Sequence, residues 1–371
     1  MKRKNKGFII CACFLLLFGG NGCSSSDDPD ITIPREEPEE ELKEPVEFTV
    51  SLDGIEMTKA NIEGRAFEVN DKFQFCFNSY KPIESHTQHV RVYEMKTKDN
   101  WQPENDTMYW DNQEIRLRHF CAFTPYAKFA DEGSHGYGYT FGGDESDANQ
   151  FTVKQDQSTE ANYKASDLLI ARAYTKKRLV PLSFYHVLSK VRVTVSASTK
   201  KDEDPNGWFT VAEFTGLTVK LNNMAMKADL TFNPIEEDSK DTQIIATGNL
   251  GDNKAWKDDI TMCPLNATPE VKEKVDSISC SFIAIIPPLT TLSTNDKLLS
   301  IKISGEKGKT YIFTPDLEKL PEGGFTQQGK ETSIHVVLKK RDVLAELETN
   351  IEITAWGEGS KATDNNPITL K

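Results

Sequence analysis

Apolar and polar residues alternate along almost the whole chain. Val46, Phe48, Val50 and Leu52 interleave with Glu47, Thr49, Ser51 and Asp53, and Phe73, Phe75 and Phe77 with Lys72, Gln74 and Asn78. Val191, Val193 and Val195 alternate with Lys190, Arg192 and Thr194. The pattern returns at Leu217, Val219 and Leu221, at Ile301 and Ile303, at Ile334, Val336 and Leu338, and at Ile351 and Ile353. Successive side chains of a strand point to opposite faces, so a period of two sets one face in a core and the other in water. That is the mark of antiparallel sheets packed as sandwiches. No extended window has a helical period. Thr268-Pro269-Glu270 predicts one short helical turn, with Thr268 as cap and Pro269 in the first position.

About seven such strands fall before residue 200 and about seven after, the number in an immunoglobulin-like sandwich. The fold class expected is therefore all-β, with two β-sandwich domains in tandem, residues 46–203 and 204–371. The polar stretch from Lys200 to Gly207 has the composition of a linker between them. His186 to Val195 reads as one long strand, and the glycine-rich piece from Gly133 to Gly143 as a surface loop.

The first 22 residues break the alternation and read as an export signal. Lys2, Arg3, Lys4 and Lys6 precede an uncharged apolar run from Phe8 to Phe18, then Gly19, Gly20 and Gly22 lead to Cys23. The run is shorter than the roughly 20 apolar residues that span a bilayer, so a cleaved signal is expected. A cysteine at this place accepts a diacylglyceryl group and becomes the lipidated N-terminus, although Gly20 replaces the usual leucine three positions before it. The competing reading is an ordinary cleaved signal with a chance cysteine. Residues 23–45 follow as an acidic tether broken by Pro29, Pro34, Pro38 and Pro45, a composition that buries too little to fold.

Loss of the signal takes the formal charge four units below the −13 of the whole chain. So negative a body argues against nucleic acid and anionic lipid head groups as partners. Cys76, Cys121, Cys263 and Cys280 remain in it, with no CxxC and no histidine at ligand spacing, so no metal and no cofactor is expected. Two disulfides and four buried thiols both fit an exported chain. His86 and His89 lack a third ligand, and Asp144, Asp147 and Asn149 match no calcium loop. Gly305 to Thr310 has phosphate-loop residues but sits between strands, so it reads as a hairpin turn. No GxSxG or HExxH occurs, and a non-enzymatic protein is expected.

Four stretches give this chain a resemblance to the fimbrillin-like lipoproteins of Bacteroides and relatives, the subunits of type V pili. They are Cys23-Ser24-Ser25-Ser26-Asp27-Asp28, which resembles a surface-export signal, and Met108-Tyr109-Trp110 followed by Phe120 to Tyr126. The third is Asp167-Leu168-Leu169 with Leu182 to Val193, and the last is Ile351 to Trp356. The resemblance implies transthyretin-like sandwiches, a lipid anchor in the outer membrane, exposure on the cell surface and assembly with other pilus subunits by strand exchange. It also implies cleavage after a basic residue, for which Arg35 and Arg65 are the candidates; only a cut at Arg65 would free Val46 to Leu52. The tail after Trp356, with Ile368 and Leu370, would be the donor. The alternative is a monomeric glycan-binding or adhesive lipoprotein facing a host glycan or protein. Its platform would come from Trp101, Tyr109, Trp110, Tyr137 and Tyr139, whose competing role is core packing.

Overall fold

Strands dominate the part of the chain that this computed structural model describes. That part comprises residues 44–52, 67–78, 88–110, 117–125, 128–129, 139–140, 150–199, 209–240, 244–248, 257–266, 268–273, 276–289, 299–303, 310–313, 326–338 and 351–355. The strands begin with β1 (Glu47–Leu52), β2 (Lys72–Asn78), β3 (Gln88–Thr97), β4 (Asn100–Pro103), β5 (Arg118–Thr124), β6 (Lys128–Phe129), β7 (Tyr139–Thr140) and β8 (Gln150–Thr152). Helix α1 (Glu160–Ser166) precedes β9 (Leu169–Thr175), β10 (Leu179–His186) and β11 (Ser189–Ser198). After α2 (Val211–Thr215) come β12 (Thr218–Ala225), β13 (Lys227–Thr231), β14 (Ile245–Gly248), β15 (Lys257–Thr261), β16 (Cys263–Pro264) and β17 (Glu270–Lys272). Last are β18 (Ser277–Ile286), β19 (Leu299–Lys302), β20 (Thr310–Phe313), β21 (Lys330–Leu338) and β22 (Ile351–Ala355).

Two large sheets organise the protein. One runs β1-β10-β9-β5-β2-β3-β4; the other runs β16-β18-β11-β21-β22, with β17 also on β18. Smaller sheets run β15-β12-β19-β20 and β14-β13-β8, and β6 pairs with β7. The all-β expectation holds. Pairing is not antiparallel throughout, however, because β1 lies parallel to β10 and β11 parallel to β21.

The chain changes sheets between β10 and β11, so the single long strand expected from His186 to Val195 is in fact two. Val187 and Leu188, both fully buried, are the two residues between these strands. The Val187 amide donates to Leu168 O and the Leu188 carbonyl accepts from Gly329 N. Strand pairing also crosses the cut expected at residues 203 and 204, since β11 is hydrogen-bonded on both sides by β18 and β21 and β8 pairs with β13. The described residues belong to one compact unit, Lys43–Lys371, with two apolar clusters. One lies under β1 and includes Phe73, Phe75, Phe120 and Phe184; the other gathers around the valines of β11.

Both helices are short. Thr159 caps α1, its side chain accepting from Asn162 N, and Lys164 pairs with Glu160 at 3.0 Å one turn earlier. Thr210 and Glu213 form a capping box on α2. The turn expected at Thr268-Pro269-Glu270 is not helical, because Glu270–Lys272 pairs instead with Ser277–Ser279 of β18.

Candidate functional site

The first strand has a built seat. Along one edge β1 pairs with β10, from Glu47 opposite Leu179 to Leu52 opposite Phe184. On the other side the Val46 amide donates to Met108 O at 2.8 Å, the Trp110 amide donates to Glu44 O at 2.9 Å, and Pro45 bridges Tyr109. The alternation in the sequence sets the faces: Val46 and Leu52 are 4% exposed, and Phe48 and Val50 pack partly buried on the same cluster. Phe48 lies edge-on to Phe73, Phe75 and Tyr93, with ring centroids 5.5, 5.3 and 4.8 Å away. Such edge contacts add about 0.5–1.5 kcal/mol beyond area burial. The Tyr93 hydroxyl accepts from Met108 N, tying the floor of the seat to its rim. An exposed pair, Arg178 with Glu44 at 3.3 Å, adds at most about 1 kcal/mol.

A second constellation is buried in the other sheet. Lys190 and Glu331 are 0% exposed and face each other in register, with Lys190 Nζ 3.0 Å from Glu331 Oε2. Arg192 Nε donates to Glu331 Oε1 at 2.6 Å, and the Ser333 hydroxyl reaches the same oxygen. Burial by itself pushes the Glu331 carboxyl up, yet Lys190 and Arg192 together hold it below its ordinary value. Next to this group His186 Nδ1 lies 2.9 Å from Asp167 Oδ1, and burial raises the Tyr163 hydroxyl well above its ordinary range. Apart from Asp167, which keeps some exposure, these groups are buried. What they can do is fix β21 against β11, since a slip by one residue would leave three charges buried without partners. Lys190 and Arg192, expected to face water, face this carboxylate because β11 has neighbours on both edges.

Several candidates from the sequence fall outside the described residues: Cys23, Arg35, Arg65, His86, Asp144, Asp147, Asn149 and Tyr137. Of the aromatics proposed for a platform, Trp110 is buried and packs on Phe120, and Trp101 packs on Phe67 and Phe73. Tyr109 is 42% exposed. β19 and β20, which flank the turn expected from Gly305 to Thr310, pair antiparallel; residues 304–309 lie outside the described residues. Cys76, Cys121, Cys263 and Cys280 are all thiols. Among the described residues no three His, Cys, Asp or Glu side chains converge as for a metal ion. Sequence reasoning missed Glu331 and the Asp167–His186 contact; the available signal was two cations set among the valines of a central strand.

Comparison with solved structures returns matches at low identity. A candidate cell adhesion protein from Bacteroides ovatus is 15% identical with a TM-score of 0.49, over 85% of this chain and 98% of that one. Another from Bacteroides uniformis is 14% identical with a TM-score of 0.47, over 84% and 98%. A fimbrial protein from Bacteroides vulgatus is 18% identical with a TM-score of 0.35, over 70% and 83%. No match was found among curated proteins. The sequence profile of the fimbrillin-like family matches residues 58–356, most of the chain. The protein belongs to the fimbrillin-like family.

Proposed function

We propose that this fimbrillin-like protein is a structural or anchor subunit of a cell-surface pilus. In this reading it is held to the outer membrane by a lipid on Cys23 and assembles with other subunits by β-strand exchange. The seat of β1 carries the proposal. β1 is the first strand of the body, it lies at a sheet edge, and its inward residues fill aromatic pockets that belong entirely to later segments. Its departure would expose the backbone edge of β10 together with those pockets, and a strand from another subunit satisfies both at once. Cleavage after Arg65 severs everything up to that residue, Val46 to Leu52 included, from the body, whereas cleavage after Arg35 trims only the tether. The role is structural and needs no catalytic group. A monomeric glycan binder would need exposed aromatics, and among its candidates with described side chains only Tyr109 is exposed.

N-terminal sequencing of polymer sheared from cells tests this. A stalk subunit begins at Ala66, and an anchor begins at lipidated Cys23 within the polymer. A chain found only as an uncut monomer outside any polymer would overturn the proposal, and Arg65→Ala should abolish the Ala66 terminus.

A further inference from the structure

From the strand register we infer that Cys76 and Cys121 form a cross-strand pair built to close as a disulfide linking β2 to β5. Cys76 stands directly opposite Cys121 in the antiparallel pairing of these strands. Directly opposed residues point to the same face of a sheet, with Cα atoms about 4.5–5.5 Å apart. Disulfides span Cα separations of about 4.4–6.8 Å, so the pair stands within reach, and closure draws the Cβ atoms together by no more than about 1 Å. Both thiols belong to the same buried cluster, and Cys76 Sγ already lies 3.3 Å from Cys121 O.

The other two cysteines have no such geometry. Cys263 is in register with Ile283 of β18, while Cys280 lies three positions earlier on that strand and therefore faces the opposite side. Burial pushes the Cys280 thiol up to about 11 and also raises Cys263, which makes both poor nucleophiles at neutral pH.

The oxidant is a disulfide, either small or carried by a thiol oxidoreductase, and it acts while the sheet is still closing, because both sulfurs are buried in the finished fold. One thiolate attacks a sulfur of the donor disulfide, forming a mixed disulfide and releasing the other donor sulfur as a thiolate. The second cysteine then attacks the first, the bond to the donor breaks, and the two protons end on the donor thiols. The two protein sulfurs are oxidised and the donor is reduced. The new bond ties together the strands that carry Phe75 and Phe120 beneath β1.

Refolding the reduced chain with oxidised glutathione, followed by denaturation, alkylation and peptide mass spectrometry without reductant, tests the inference. The expected product is a Cys76–Cys121 linked peptide lighter by two hydrogens, lost on reduction, with Cys263 and Cys280 alkylated. Cys121→Ser should abolish the link and leave Cys76 alkylated or carrying glutathione. Alkylation of all four cysteines in the refolded parent, or linkage of Cys76 or Cys121 to Cys263 or Cys280 instead, would overturn it. If the serine variant does not fold, the parent's linkage pattern alone decides.

Discussion

Glu331 receives two cations at a buried position, so its removal is felt as unpaired charge. Glu331→Gln leaves Lys190 and Arg192 buried against a neutral amide and should destabilise the protein by about 3–5 kcal/mol, measured by urea denaturation. Replacing the three together, as Lys190→Met, Arg192→Met and Glu331→Leu, should cost far less, because desolvation is then removed along with attraction. The same site sets an acid limit. Its carboxyl is held below the ordinary 4.5 in the folded state, so its stabilisation is complete above the unfolded value and is lost as pH falls through the lower folded one. In Glu331→Gln that part of the acid sensitivity should vanish from a plot of stability against pH. The valines of β11 were legible in the sequence from their alternation alone. Their charged neighbours were misread because the partner lies 139 positions away, and periodicity says nothing about which strands meet.

Phe48 ties β1 to three aromatic rings of β2 and β3. Phe48→Ala should lower stability by about 3 kcal/mol, the low end for an aromatic truncation because the ring is partly exposed. Glu47→Gln, on the outward face, should change it by no more than about 0.5 kcal/mol, and the pair of denaturation curves checks both. The faces of β1 could be read in advance, since a half-buried strand writes its burial into the sequence at every second residue, whereas β2 buries Gln74 and Cys76 as well as Phe73 and Phe75. The helices could not. α1 and α2 have seven and five residues, too few for a 3.6-residue period to emerge, and their capping residues are the only local signal. At Thr268 a helix-start signal was present, but the chain pairs with β18, because a strand partner satisfies more backbone groups than one isolated turn.

The whole molecule differs from its sequence reading in how the strands are shared out. Alternation predicts strands but not the sheet each one joins. The turn at Val187 and Leu188 therefore had no signature beyond two adjacent apolar residues, and the pairings of β8 and β11 reach across residues 203 and 204. The family was legible because its recognisable stretches include β10, the start of β11 and the segment from Met108 to Trp110 that closes over β1. At this scale Cys23→Ser should release the protein from membranes, since each buried acyl methylene contributes about 0.8 kcal/mol and the anchor rests on those chains; membrane fractionation checks it.

The central claim is that β1 is a removable strand whose seat another subunit can fill. Full burial of one apolar side chain contributes about 1.5–3 kcal/mol. Val46 and Leu52 approach this, and the partly buried Phe48 and Val50 add to it in smaller measure. Emptying all four positions would therefore take a large share of the about 5–15 kcal/mol that keeps a domain folded. The decisive measurement is the size distribution of the purified chain after limited arginine-specific cleavage, with Arg65→Ala as the control for the site. Strand exchange predicts release of the peptide ending at Arg65, which carries Val46 to Leu52, and conversion of the parent, but not the variant, into oligomers or aggregates. A cleaved chain that has lost the peptide yet stays monomeric and fully folded would contradict it.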